Sequence, residues 1–271
     1  MSARMPKWIG GTVLVLLLVL TLIPVLMLLV FSLRDNLDIL IDFWSLPDTP
    51  KWANYTEAWK VVKDSIGNSL FVCVVTVIGA VFIGSLSGYV FARHQFPLKG
   101  LLFLLLIGVM MIPSLLTIVP LYATISNLNM TNSFWGLILP YIAGTQLLGI
   151  MLTRTFFESL PEELFEAARM DGASEWYLYL RIAMPLCIPI LITVGIVTFL
   201  SVYSDYLWPF IVLKQENQTF TMAAVSLNRA GSSDLGLSTA GYAIGSIPTI
   251  IVILFGMKYY IEGMVSGAVK S

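Results

Sequence analysis

The sequence predicts an all-α membrane protein with six transmembrane helices. Of its 271 residues, 58% are hydrophobic and 11% are charged, whereas about a quarter of the residues in an ordinary soluble domain are charged. A soluble domain of this size could not bury that much apolar surface. Uninterrupted apolar runs such as Leu101–Met111 lack the alternation of a membrane β-strand, so the membrane-spanning segments are expected to be helices.

Six stretches are long enough to cross a bilayer, which takes about 20 residues. The first, about 9–33, follows Arg4 and Lys7. It is longer than the apolar core of a signal peptide and is not followed by a small-residue cleavage site, so we expect it to be retained. The other predicted spans are about 66–92, 100–126, 134–154, 186–212 and 240–260. Together they predict a single transmembrane domain over residues 1–271.

Prolines and glycines inside these spans indicate bends and close helix contacts. The prolines are Pro113, Pro120, Pro189 and Pro248. Each could kink its helix, or could be tolerated without a kink. Gly84-x-x-x-Gly88 and Gly241-x-x-x-Gly245 would permit two helix backbones to approach closely, although such glycines also occur without a specific partner.

Loop charge predicts that both termini face the cytoplasm. The short second loop carries Arg93 and Lys99, whereas the third loop, 126–133, carries neither Lys nor Arg. Basic loops remain on the cytoplasmic side. With an even number of spans, both ends and the stretch 156–184 then lie on that side.

Composition excludes several classes of function. The net charge of −1 leaves no basic excess for binding nucleic acid. The single histidine, His94, and the separated Cys73 and Cys187 predict neither a zinc site nor a disulfide. The sequence has no G-x-x-x-x-G-K-[ST] phosphate-binding loop, so if the function of this protein uses ATP, another chain must bind it.

The stretch 156–185 differs from the rest of the chain because it carries six acidic residues. They are Glu158, Glu162, Glu163, Glu166, Asp171 and Glu175. Pro161 and the glutamates after it are typical of a helix start, and Gly172 is typical of a helix stop. A second helix is predicted from Ser174 to Pro185, where the chain enters the membrane. The two short helices would either project from the membrane or lie along its surface.

The same stretch resembles the EAA motif of ABC importer permeases. Glu166-Ala167-Ala168-x-x-x-Gly172 is followed, after nine residues, by Ile182-x-Met184-Pro185, with Met184 in place of the usual leucine. Residues 161–173 are similar to the carbohydrate branch of that family. Asn68-Ser69-Leu70 and the stretch 260–270 are similar to its maltose-type second permease subunit.

This resemblance implies the type I ABC importer permease fold, with six membrane helices and a cytoplasmic coupling-helix pair. It implies a permease subunit, not an enzyme, that forms half of the pathway of an ATP-driven importer for a sugar or oligosaccharide. Its loop would dock on a cytoplasmic ATPase. The residues that the resemblance assigns to coupling are Glu166, Ala167, Ala168, Asp171, Gly172, Ile182 and Pro185.

The resemblance also implies the partners and the location. The partners would be a second, different permease, two ATPase subunits that bind ATP and Mg²⁺, an extracytoplasmic solute-binding protein and the sugar. No cofactor is expected on this chain. It would be a multi-pass protein of the bacterial or archaeal cell (inner) membrane.

Six residues are candidates for contact with the substrate: Asn68, Tyr141, Gln146, Tyr203, Asp205 and Trp208. Sugar sites combine aromatic faces with polar groups that fix orientation. The family often has Trp-Asn where this chain has Ser204-Asp205. There are two structural alternatives. The cluster around Asp205 could be an aromatic belt at the membrane interface with a solvated carboxylate. Hydrogen bonds between helices could instead account for Asn68, Tyr141 and Gln146.

Other functions stay open on the residues alone. An intramembrane enzyme would need converging acids, bases or metal ligands, but Asp205 is the only clear intramembrane carboxylate. A channel or ion-coupled carrier that works alone usually places charges inside the membrane. A membrane scaffold would not need the acidic helix pair.

Overall fold

The structure is a computed structural model that describes residues 7–229 and 234–268. Its regular structure over these residues is helical. The helices are α1 (Lys7–Phe31), α2 (Asn36–Ile41), α3 (Ala53–Arg93), α4 (Lys99–Met110), α5 (Ser114–Asn127), α6 (Trp135–Glu158), α7 (Glu162–Met170), α8 (Glu175–Tyr177), α9 (Met184–Leu186), α10 (Ile188–Ser204), α11 (Leu207–Val212), α12 (Phe220–Arg229) and α13 (Leu235–Ala268). A π-helical segment, Leu178–Ala183, joins α8 to α9, and Gln215–Asn217 form a 3₁₀ turn.

Four helices within the described ranges are long and apolar enough to cross a membrane: α1, α3, α6 and α13. The number rises to six if two bent helix pairs each count as one span. The upper number equals the six predicted spans. Helix α3 has 41 residues and begins well before the predicted start of the second span, because residues 53–65 contain no glycine or proline to stop it.

The two bent pairs contain the third predicted span and most of the fifth. Helices α4 and α5 are bent by 99°, and Pro113 lies at the break as the N-cap of α5. The pair Glu175–Leu186 and Ile188–Ser204 is bent by 77°, with Pro189 in the first turn of α10. Proline is compatible with a first turn but removes a hydrogen bond elsewhere. The bends expected near Pro113 and Pro189 are therefore confirmed.

Other expectations about the spans need revision. Pro120 and Pro248 lie inside α5 and α13, which continue through them. The fifth predicted span is interrupted near its end, because α10 ends at Ser204 and α11 begins at Leu207. Asp205 is extended there and its Oδ1 accepts a hydrogen bond from Leu207 N at 3.0 Å. A short polar side chain that bonds nearby backbone competes with continuation of the helix.

Glycines bring α3 and α6 into close contact. An added Cβ at Gly88 would collide with Thr153 Oγ1 and lie 2.9 Å from Arg154 N. One at Gly84 would lie 3.4 Å from the Cα of Gly149. Thr153 Oγ1 also donates a hydrogen bond to Gly84 O at 3.0 Å. The close approach predicted from Gly84-x-x-x-Gly88 is confirmed.

The described residues fall into two compact units. The first unit consists of the described parts of residues 1–64 and 223–247. Arg34 is buried there, at 3% exposure, and donates to Asp38 O at 2.7 Å and Asp42 O at 2.8 Å. These bonds satisfy carbonyls at the end of α2, where a cation is also favoured by the helix dipole.

The second unit consists of the described parts of residues 65–222 and 248–271, and it contains every candidate site residue. One of its hydrophobic clusters joins α3, α6, α7 and the segment that follows. Its buried members are Tyr89, Phe157, Phe165, Leu178, Tyr179, Ala183, Cys187, Ile190 and Leu191. This cluster fixes the acidic stretch against the membrane helices.

Candidate functional site

Helix α7 has one buried face and one exposed face. Phe165 is fully buried in the cluster with Tyr89 and Phe157. Glu166 and Ala167 are exposed, and Met170 is 88% exposed. Ala168 is half-buried and packs against the cluster. The helix is thus anchored on one side and offers a mixed acidic and apolar surface on the other.

The end of α7 has the geometry that Gly172 predicts. Gly172 has φ of 81°, and its N–H donates to Arg169 O at 3.0 Å while Ala173 N–H donates to Ala168 O at 3.0 Å. This pair of bonds is the Schellman motif, which satisfies the last carbonyls of a helix. Asp171 is the preceding C-cap. The helix stop predicted at Gly172 is confirmed.

The next helix starts where expected but continues differently. Ser174 is its N-cap, and its Oγ accepts a hydrogen bond from Tyr177 N at 3.3 Å. Ile182 is half-buried against the cluster. Pro185, expected to end the helix, is exposed and lies within α9; the bend follows at Cys187. Since proline keeps a helical φ and lacks only the N–H, it is accommodated directly after the π-helical segment, where the hydrogen-bond pattern already changes.

Arg93, at the end of α3, was not expected as a site residue. Its side chain is only 7% exposed. Nη2 donates to Phe157 O at 2.7 Å and to Leu160 O at 2.6 Å, and Nη1 pairs with Glu162 at the start of α7. The guanidinium carbon lies 4.2 Å from the ring centre of Phe165. One arginine therefore contacts both the end of α6 and the start of α7.

Further ion pairs connect the two arms of the loop. Arg169 Nη1 lies 3.2 Å from Glu162 Oε1, and Arg169 Nε lies 3.0 Å from Glu175 Oε1. Glu175 Oε2 is 3.4 Å from Tyr89 Oη and 3.5 Å from His94 Nε2. The hydrogen bond to Glu175 raises the pKa of the Arg169 guanidinium above its ordinary value, so Arg169 stays charged. The sequence shows these charges but not their pairing.

Three of the six substrate candidates lie together. Tyr141 Oη, on α6, donates to Asp205 Oδ2 at 2.7 Å. Asp205 Oδ1 accepts from Leu207 N, and Trp208 is buried with its Nε1 donating to Gly136 O at 3.1 Å. The aromatic rings and the carboxylate thus meet at the break between α10 and α11.

These three residues line a cavity of about 270 Å³. Its lining is Ser114, Leu115, Thr117, Ile118, Leu121, Pro140, Tyr141, Gly144, Asp205, Leu207 and Trp208. It therefore combines a carboxylate, hydroxyls and aromatic surface between α5, α6 and the chain after α10. No three His, Cys, Asp or Glu side chains in the described ranges converge as metal ligands.

The other three candidates lie outside this cavity. Asn68 Nδ2 donates to Gln218 O at 3.1 Å, and Gln146 Nε2 lies 3.5 Å from Ala80 O. The Gln146 contact joins α6 to α3 and is the kind of helix–helix bond that was the structural alternative, whereas Asn68 bonds to a loop. The bond from Tyr141 to Asp205 at the end of α10 fits that alternative as well. The Tyr203 ring stacks between Phe199 and Phe220, with centroid distances of 5.5 and 5.7 Å.

Comparison with known proteins places this fold and sequence among transporters. Residues 80–264 match the family described as binding-protein-dependent transport system inner membrane component. One relative is the probable ABC transporter permease protein YurM of Bacillus subtilis (strain 168), with 34% identity over 271 aligned residues. The alignment covers 97% of this chain and 90% of YurM.

Two further matches are informative. The melibiose/raffinose/stachyose import permease protein MelC of the same organism is 34% identical over 254 residues, covering 92% of this chain and 91% of that protein. Among solved structures, a chain from a bacterial ABC transporter involved in the import of the acidic polysaccharide alginate superimposes with a TM-score of 0.77 and 20% identity. That superposition covers 96% of this chain and 99% of the other.

Proposed function

This chain belongs to the family of binding-protein-dependent transport system inner membrane components, and we propose from that premise that it imports a sugar or oligosaccharide. It is a multi-pass permease subunit of an ABC importer. The observation that carries the proposed substrate class is the 34% identity with MelC over 92% of the chain. The cavity with Tyr141, Asp205 and Trp208 is compatible with such a substrate.

The proposed assembly contains four further subunits. They are a second, different permease, two ATPase subunits that bind ATP and Mg²⁺, and an extracytoplasmic solute-binding protein. Both termini and the loop 156–184 are cytoplasmic in this proposal, which the basic loop between Arg93 and Lys99 supports. The host is a bacterium or an archaeon.

We propose that α7 and the turn after it dock on the ATPase. Glu166, Ala167 and Met170 form the exposed face of α7, whereas Phe165 anchors the opposite face. Short alanine side chains allow a partner backbone to approach, and Gly172 with Asp171 turns the chain away from the docking face. Ile182, packed in the cluster, and Pro185 support this surface from the second arm.

Reconstitution tests this proposal. The chain purified alone should not hydrolyse ATP, whereas the complete complex should, and sugar-loaded binding protein should stimulate it. Glu166→Lys should reduce copurification of the ATPase, because it reverses the charge at the centre of the docking face. Asp48→Lys is the matched control: it reverses an exposed charge outside the loop and should leave copurification unchanged. ATP turnover by the chain alone, or normal copurification with Glu166→Lys, would contradict the proposal.

The cavity at Asp205 is the proposed contact of this chain with the sugar. Its volume of about 270 Å³ lies slightly below the range of small-molecule sites, roughly 300–1,000 Å³, so it would hold no more than about one sugar ring. The Asp205 carboxylate accepts hydrogen bonds from hydroxyls. Since Trp208 Nε1 already donates to Gly136 O, Trp208 offers ring surface, which suits the C–H face of a sugar. Asn68, Gln146 and Tyr203 are proposed to support the pathway through packing.

Two substitutions separate binding from structure at this site. Asp205→Ala should lower sugar uptake by about tenfold or more, because it removes both the acceptor and the bond to Tyr141. Asp205→Asn keeps an acceptor for Leu207 N and should retain more uptake. Thr124→Ala, on α5 outside the cavity lining, is the control. Normal uptake by Asp205→Ala at normal membrane abundance would exclude the cavity from the pathway.

A further inference from the structure

We propose that Arg93 is a positioning residue that transmits movement of the docked α7 to the membrane helices α3 and α6. The inference rests on the proposed docking of the ATPase at α7, and it assigns a specific link between that surface and the membrane. Arg93 itself would touch neither the ATPase nor the sugar. It would act by holding three helices in one arrangement.

The contacts of Arg93 suit this role. It is the last residue of α3, and Nη2 donates to Phe157 O in the last turn of α6, where the helix dipole favours a cation, and to Leu160 O just after that helix. Its Nη1 pairs with Glu162 and its plane covers Phe165, so it holds both the first turn and the anchor of α7. Only a planar guanidinium reaches all of these groups, since a lysine ammonium is a single point charge.

The second arm of the loop returns to the same place. Glu162 binds Arg169, Arg169 binds Glu175, and Glu175 meets Tyr89 and His94. His94 directly follows Arg93, so the chain of contacts closes on the end of α3. Exposed ion pairs are individually weak, but a connected network around a buried arginine restrains several elements together.

The helices that Arg93 joins are themselves tightly packed. Gly88 of α3 leaves no room for a Cβ against Thr153 of α6, and an added Cβ at Gly84 would already lie in contact with Gly149, so we expect the two helices to move together. Helix α6 then runs back from Phe157 to Tyr141, sixteen residues or about 24 Å at the α-helical rise. Tyr141 donates to Asp205 in the cavity. A displacement of α7 would therefore reach the cavity through Arg93 and α6.

The test uses the complete complex with binding protein, partner permease and ATPase. Arg93→Gln removes the charge and the fork at nearly constant volume. It should copurify with the ATPase as the wild type does, but sugar uptake per ATP hydrolysed should fall by about tenfold or more, which corresponds to about 1.4 kcal/mol. Arg93→Lys should recover only part of the loss. Arg154→Gln is the matched control, since Arg154 pairs with Glu158 of its own helix and covers Phe103.

Each outcome decides the inference. A wild-type ratio of uptake to hydrolysis in Arg93→Gln would overturn it, and so would loss of ATPase copurification, because Arg93 would then serve docking itself. If Arg93→Gln does not reach the membrane, the double variant Glu162→Gln, Arg169→Gln, at partly exposed positions, decides in its place. A normal ratio in that variant overturns the inference. If Glu166→Lys loses ATPase copurification while Arg93→Gln keeps the wild-type ratio of uptake to hydrolysis, the proposed docking stands and only the role of Arg93 is excluded.

Discussion

Gly172 is required by its backbone conformation rather than by crowding. Its φ of 81° lies in the left-handed region, and an added Cβ would meet nothing within 4 Å. A β-branched residue takes up that conformation only with strain, whereas glycine does so freely. The chemical identity of this one residue therefore decides how α7 ends and where its exposed face points.

Gly172→Val should weaken docking of the ATPase while the protein still inserts into the membrane. Strain of about 1–3 kcal/mol corresponds to roughly 5- to 150-fold in an equilibrium constant. Sugar uptake and ATPase copurification, both normalised to membrane abundance, measure the effect. Gly100→Val is the matched control, because an added Cβ there also meets nothing within 4 Å but φ is not positive. Equal values for the two variants would contradict the backbone argument.

At the scale of helices, α3 and α6 pack closely against each other through small residues. Gly84 and Gly88 allow the two backbones to touch, and Thr153 spans the contact with a hydrogen bond to Gly84 O. The helix pair carries Arg93 at one end and Tyr141 near the other. This close packing is what would let one residue in the loop influence a distant cavity.

Gly88→Ala should destabilise the protein, because the new methyl group would collide with Thr153 and force the helices apart. Overpacking of this kind costs about 1–3 kcal/mol. Thermal unfolding of the detergent-solubilised complex provides the measurement. Gly67→Ala, in the same helix with nothing within 4 Å of its added Cβ, should leave the melting temperature unchanged or raise it slightly. Similar melting of the two variants would argue against a tight contact.

For the whole molecule, the proposed orientation puts 156–184 and both termini in the cytoplasm. Ser159, directly after α6, and Ser126, in the last turn of α5, are exposed and are assigned to opposite sides of the membrane. A cysteine at either position is therefore a nearly isosteric probe. The native Cys73 and Cys187 are buried and should not react with a large reagent.

A membrane-impermeant maleimide should label Ser126→Cys in intact cells and label Ser159→Cys only after the membrane is opened. The reason is the position of Arg93 and Lys99, which should keep their loop inside. Lys270→Cys should behave like Ser159→Cys. Labelling of Ser159→Cys but not Ser126→Cys in intact cells would reverse the proposed orientation.

The sequence by itself determined the features that depend on near neighbours. Apolar runs predicted six spans, and the structure contains four such helices and two bent pairs in its described ranges. Pro113, Gly172 and Ser174 act on the backbone within a few residues of themselves, so their breaks, stops and starts could be predicted. The motif around Glu166 indicated the family, whose match covers residues 80–264.

Only the tertiary structure decided which distant side chains meet. Arg93 could have pointed to water, and it contacts Glu162 and two carbonyls because the rotation of α3 and its packing on α6 aim it there. Tyr141 reaches Asp205 across 64 positions of sequence, while Asn68 and Gln146 form other contacts. Hydropathy and local hydrogen bonding set where a helix lies along the chain, but its rotation and depth follow from packing against helices far away in sequence.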